Sequence, residues 1–199
     1  MDILFSFLLA SVLLTLSPGP DLLMVIAQSI EKGAKTAFLF VAGLLTGLLG
    51  HTALLIFGWA QFIGERPQVV DVIQWIGFVY FSFLGLSSIY TYFKRSPHQA
   101  GKKKIILQHP YVQGVVMNGI NPKVSLFFWL FFPGFLFSSS LNIAMQYAVL
   151  GGLFLLQAAV VFSGVILLAN QFKGIFQRYR LDIISGVLWL ILAVYLVLT

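Results

Sequence analysis

Residues 3–27 read ILFSFLLASVLLTLSPGPDLLMVIA, an apolar run interrupted by Ser17-Pro18-Gly19-Pro20-Asp21. A helix crossing the hydrocarbon core of a bilayer needs roughly 20 residues, so the run is long enough to span. Pro18 and Pro20 each lack an amide hydrogen and clash with the preceding turn, and Gly19 frees the backbone, so a regular helix cannot pass through undisturbed. The stretch predicts a spanning helix broken inside the membrane. Carbonyls before such a break and amides after it lose their helical partners, which is tolerable only where they face protein, water or a ligand.

The rest of the chain agrees with lipid as its solvent: 59% of the 199 residues are apolar, 9% are charged, and the mean hydropathy is +0.96. Long apolar runs, rather than short alternating ones, favour helices over a barrel. The expected fold is an all-α integral membrane protein of about six helices. The predicted spans run over Ile3–Ala27, Thr36–Phe62, Val69–Phe93, Tyr111–Leu136, Leu141–Asn170 and Leu181–Leu198. The first run carries Asp2 in place of a positively charged leader and continues apolar beyond Asp21, so it reads as a retained helix.

The net charge of +6 does not point to nucleic acid, because the basic residues lie almost wholly in short connections. Lys32 and Lys35 follow the first span, Lys94, Arg95 and Lys102-Lys103-Lys104 the third, and Lys173, Arg178 and Arg180 the fifth, while the opposite side offers Arg66. The positive-inside rule then places both termini outside the cytoplasm of a multi-pass plasma-membrane protein. The lysine run is explained as an orientation signal; anionic lipid headgroups are its other partner. Cysteine is absent, which removes disulfides and thiolate metal sites.

Residues 1–199 thus form a single transmembrane domain, with a first unit over 1–93, a basic cytoplasmic connection over 94–110 and a second unit over 111–199. Each unit crosses an odd number of times, so the two, if related, are inverted three-helix repeats.

A second interruption, Asn118-Gly119-Ile120-Asn121-Pro122-Lys123, breaks helix 4 as the first breaks helix 1. Pro122 should free the carbonyl of Asn118, and the asparagine side chains can bond the loosened backbone. Superposing the units puts Pro20-Asp21 on Pro122-Lys123, an acid against a base. Prolines in membrane helices often do no more than kink them. Two breaks that each carry a charge are costlier, since an unpaired charge at the bilayer centre costs about 2.5–3.5 kcal/mol on insertion scales. Paired interruptions at corresponding places are the pointer to a midplane substrate site in secondary transporters. A structural salt bridge between Asp21 and Lys123 is the alternative.

Pro18-Gly19-Pro20-Asp21, Asn121-Pro122-Lys123 with the following Leu126-Phe127-Phe128, and Phe83–Leu86 ending the third span resemble the LysE/RhtB family of bacterial amino-acid exporters over essentially the whole chain. The resemblance implies amino-acid export across the bacterial inner membrane. It also carries a departure: Gly134, in Phe132-Pro133-Gly134-Phe135, stands where members usually have glutamine.

A zwitterionic amino acid requires partners for a carboxylate and an ammonium at one depth. Amides after Pro20, together with Lys123, suit the carboxylate; Asp21 and freed carbonyls near Ser17 and Asn118 suit the ammonium. The expected substrate-binding set is Ser17, Pro18, Gly19, Pro20, Asp21, Asn118, Asn121, Pro122 and Lys123. Proton antiport is the expected coupling, with Asp21 as carrier, because burial and the Lys123 charge act on its protonation in opposite senses. His51, in the middle of the second span, has two readings, an interhelix hydrogen bond or a second proton carrier. Gln157 lies at similar depth in the fifth span, for packing or for lining a cavity.

Gly43 and Gly47, with Gly151 and Gly152, offer close helix contacts within one bundle or across a homodimer. The stripe Phe127, Phe128, Trp129, Phe131 and Phe132 reads as lipid-facing or core material. No nucleophile, base and metal-ligand set converges, with His51, His98 and His109 far apart, so an enzyme is not expected and no metal or cofactor is implied. A channel, or an exporter of another small solute or ion, is the alternative reading.

Overall fold

In the computed structural model the chain is described over residues 3–17, 19–59, 67–93, 109–178, 186, 187, 189–191, 193 and 194. Helix α1 (Ile3–Leu16) is followed by α2 (Pro20–Lys32), and α3 (Ala34–Leu54) ends in a π turn at Leu55–Trp59. Then come α4 (Pro67–Phe93), α5 (Pro110–Gly119), α6 (Pro122–Phe131) with a 3-10 turn at Phe132–Phe135, and α7 (Ile143–Arg178). Among the described residues there is no strand.

Two stretches, Ala34–Gly58 and Ile143–Ala169, are long and apolar enough to cross a membrane unaided, and the pairs α1–α2 and α5–α6 qualify when each is taken as one bent span. The bends are 57° between α1 and α2 and 49° between α5 and the segment Pro122–Phe135. These four match the predicted first, second, fourth and fifth spans. The predicted third span is α4, whose described apolar stretch is Trp75–Tyr90. Most of the predicted sixth span, and the connection over 94–108, lie outside the described residues.

Local chemistry explains both breaks. Gly19 sits in extended backbone as the residue before α2, and Pro20 takes the first helical position, where its missing amide costs nothing. Asn121 plays the same part for α6: its side-chain oxygen accepts from the amide of Lys123 at 3.1 Å, and Pro122 starts the helix. The turn between α2 and α3 is made by Gly33 at φ 84°, a left-handed conformation that suits glycine.

The strongest helix contact is made of glycine. A β-carbon on Gly43 of α3 would collide with the carbonyl oxygen of Tyr111, and one on Gly114 of α5 with that of Phe40. Gly47 lies against Asn118, where a β-carbon would stand 2.7 Å from Oδ1. The Gly43–Gly47 face is therefore spent inside the bundle, against α5, the first of the two readings of that face. Gly151 packs on Thr52, whereas Gly152 has open space around it. Gly85 and Gly186 approach each other, with a β-carbon on Gly85 falling 2.9 Å from the Gly186 carbonyl.

Because the obstacle at Gly43 is backbone, it cannot rotate away. Gly43→Ala is expected to destabilise the protein by about 1–3 kcal/mol, seen as a lower melting temperature in detergent. Gly152→Ala, with nothing within 4 Å, is the matched control and should change little.

The aromatic stripe resolves into core. Phe127, Phe128, Phe131 and Phe132 are buried, and Trp129 alone of the stripe is exposed. Phe7 of α1 meets Phe132 edge-on at 5.2 Å and Phe135 at 5.3 Å, and Phe128 stacks on Phe132 at 4.3 Å. Phe154 of α7 closes the cluster against Phe128 at 5.2 Å. This plug ties α1, α6 and α7 together on one side of the breaks. Exposed Phe57, Val79, Phe83, Leu156, Val160 and Leu167 present apolar side chains outward, as a lipid-facing surface requires.

Candidate functional site

The two breaks face each other. Asp21, one residue into α2, and Lys123, one residue into α6, are both buried at 7% exposure and line a single cavity.

Each charge is held by the opposite break rather than by the other charge. Asn121 Nδ2 donates to Asp21 Oδ2 at 2.7 Å, and Lys123 Nζ donates to the Ser17 carbonyl at 2.7 Å. The direct Asp21–Lys123 salt bridge considered from the sequence is thus not the observed arrangement. Asn121 is the hub, since its amide caps α6 through Oδ1 and reaches Asp21 through Nδ2. Charge-assisted bonds of this kind are the strong ones. The second carboxylate oxygen, Asp21 Oδ1, is buried without a hydrogen-bond partner, as is Ser17 Oγ.

Gly19 matters by its smallness. A β-carbon there would lie 3.3 Å from Lys123 Nζ, tighter than an ordinary contact. Pro20 and Pro122 have exposed rings. They start the half-helices and are not among the residues that line this cavity. Pro18 lies outside the described residues.

The freed carbonyls are not free. Asn118 O accepts from the amide of Asn121 at 3.0 Å and from His51 Nε2 at 3.3 Å, so the bond lost to Pro122 is repaired within the chain. The Ser17 carbonyl is taken by the chain's own ammonium. Neither, in this state, awaits a ligand as the sequence reading expected; a buried carbonyl left bare is too costly to persist.

His51 makes the interhelix bond. Donation from Nε2 to a carbonyl places the hydrogen there, and Nδ1 is left buried without a partner while the ring packs on Phe128 at 5.5 Å. Gln157 donates to Thr15 Oγ1 at 3.0 Å, and Thr15 in turn donates to the Ser11 carbonyl.

The remaining lining is Leu14, Thr15, Leu48, Asn118, Val124, Phe154, Ala158 and Phe162. The cavity volume is about 20 Å³, room for about one water and too little for an amino acid. Among the described residues the breaks leave no room for substrate in this conformation.

Some residues at the site carried no usable signal in the sequence. Trp189 lies with its ring centroid 5.2 Å from Lys123 Nζ, in cation–π contact, and stacks on Phe81 at 5.3 Å. In an apolar run such a tryptophan looks like any interfacial aromatic. Thr15 was also unremarked. Gln28 and Gln113 could have been found, because polar side chains inside apolar runs are themselves a signal. Among the described residues no cluster of metal-ligating side chains occurs.

The family model described as LysE type translocator matches residues 12–199. A homoserine/homoserine lactone efflux protein of Salmonella typhimurium (strain LT2) is 28% identical over 96% of this chain and 94% of its own length. A membrane protein of Bacillus subtilis, YrhP, is 23% identical over 94% of this chain and 96% of its own. A leucine efflux protein of Salmonella choleraesuis is 25% identical over 66% of this chain and 62% of its own. No solved structure matches the chain.

Proposed function

The chain belongs to the LysE type translocator family, and from that premise we propose that it exports amino acids or close derivatives across the bacterial inner membrane by proton antiport, using an alternating-access site at the two broken helices. The observation that carries this reading is the pair Asp21 and Lys123, opposite charges at corresponding positions of two breaks, buried around one cavity.

In this conformation Lys123 holds the Ser17 carbonyl, the position suited to a substrate ammonium. Substrate entry exchanges these partners: the incoming ammonium takes the Ser17 carbonyl and Asp21 Oδ1, and Lys123 turns to the incoming carboxylate. Each buried charge then keeps a hydrogen-bond partner in the empty carrier and gains an opposite charge in the loaded one. Proton binding at Asp21 competes with the ammonium, which couples the two fluxes.

With both charged groups committed to the α-ammonium and α-carboxylate, the lining left over is Leu14, Leu48, Val124, Phe154, Ala158 and Phe162 with two polar groups, the Thr15 hydroxyl and the Asn118 amide. It suits an uncharged side chain, in keeping with relatives named for homoserine and leucine efflux.

Inverted repeats are supported by matched contacts. His51 of α3 bonds the residue four before Pro122, and Gln157 of α7 bonds Thr15, five before Pro20. Gly85 of α4 meets Gly186 of the sixth span. The prediction is saturable thermal stabilisation of the purified protein by at least one neutral amino acid in a panel. No response to any amino acid or amine would remove the reading.

A further inference from the structure

Beneath the site lies a contact that the transport reading has not used. Gln28 stands seven residues past Asp21 on α2, two turns or about 10 Å along the helix. Gln113 stands five residues before Asn118 on α5. Because α2 leaves its break while α5 approaches its own, both glutamines lie on the same side of the cavity, the side that carries Lys32 and Lys35. Both are buried, at 3% and 9% exposure, and Gln28 Nε2 donates to Gln113 Oε1 at 3.0 Å.

The contact is under-satisfied. Gln113 Nε2 finds only the Met24 sulfur at 3.9 Å, a weak acceptor, and Gln28 Oε1 is buried with no partner. Two amides that hold one good bond between them gain partners when water reaches them, so parting them is cheap. The other side of the cavity is closed by the plug of Phe7, Phe127, Phe128, Phe132 and Phe135, packed ring against ring, where the buried Tyr147 against Phe132 carries a hydroxyl without a hydrogen-bond partner.

The neighbours decide which helix moves. Gly43 and Gly114 bring the backbones of α3 and α5 into contact, so α5 is pinned. On α2, Asp21, Val25 and Gln28 fall at i, i+4 and i+7, one buried face. A shift of Asp21 on exchanging its partner is therefore carried along that face to Gln28.

We infer that the Gln28–Gln113 pair is the gate on the basic side of the membrane, opened when α2 swings away from α5 and water hydrates the two amides. The inference rests on the transport reading. The chain has no cysteine, so introduced thiols are the only ones present. In a Gln28→Cys/Gln113→Cys protein, a short bifunctional methanethiosulfonate that bridges the thiols should stop amino-acid exchange in proteoliposomes, and reductant should restore it. Exchange by the bridged protein at the unbridged rate overturns the gate.

A second arm needs no substrate. With Leu48→Cys as a reporter in the cavity wall, Gln28→Ala/Gln113→Ala should raise labelling by a membrane-impermeant thiol reagent from the basic side by about fivefold, the population shift from losing one ordinary hydrogen bond. Labelling from the opposite side should not change. Unchanged labelling, or an equal rise from both sides, overturns the gate. If the wild-type protein exchanges no amino acid, the transport reading fails, while the labelling arm still reports on the gate.

Discussion

Asp21→Asn is expected to abolish accumulation driven by an imposed pH gradient in proteoliposomes while leaving the protein folded. The carboxylate accepts from Asn121 through Oδ2 and keeps Oδ1 buried without a partner, so it has one oxygen committed to structure and one available to a proton or an ammonium. Asparagine has nearly the same shape and can still bond Asn121 through its carbonyl, yet it neither releases a proton nor neutralises a neighbouring ammonium. Removing one partner of a buried pair such as this carboxylate with a bound ammonium costs about 3–5 kcal/mol, a loss of about two to four orders of magnitude in any step that depends on it. Asp21→Glu keeps the titratable group and should retain coupling at a lower rate. An Asp21→Asn protein that still accumulates substrate in response to the gradient would remove Asp21 as the proton carrier.

The second large effect is expected at Lys123. Lys123→Met preserves length and removes the charge, so binding of an amino acid should weaken by about 2–5 kcal/mol, the usual cost of truncating a desolvated charge contact. It should lower stability as well, because the Ser17 carbonyl loses its donor and Asp21 stays buried. Lysine here donates to one carbonyl and lies against one indole face, and removing it alone leaves Asp21 buried without a nearby cation, a loss of the kind that costs about 3–5 kcal/mol. A protein that still folds, at a lower melting temperature, with ligand-induced stabilisation lost, separates a binding role from a structural one. Loss of fold together with loss of binding would mean that Lys123 is primarily a strut between the two breaks.

The breaks, the charges and the span positions were legible because they follow from local chemistry. Proline and glycine dictate where a helix stops, and apolar run length dictates where it crosses. The partners of the freed groups were not legible. Nothing in the run around Pro122 says that the Asn118 carbonyl would be reclaimed by the Asn121 amide and by His51, because that depends on how closely α3 approaches α5, which Gly43 and Gly114 set together. The same applies to Asp21 and Lys123. Sequence placed them at equivalent positions, and only packing shows that Asn121 and Ser17 hold them apart while both line one cavity. Trp189 was hidden for a different reason, as an aromatic side chain in an apolar helix has no pattern that distinguishes a cation's platform from a lipid contact.

The most direct test of the shared site is binding of a neutral amino acid, its decarboxylated amine and its deaminated acid to the wild-type, Asp21→Asn and Lys123→Met proteins, read by ligand-induced shifts in Tm. If the two charges grip the two ends of one zwitterion, Lys123→Met weakens the amino acid and the acid but not the amine. Asp21→Asn then weakens the amino acid and the amine but not the acid. Equal losses for all three ligands in both variants would contradict a site built from Asp21 and Lys123.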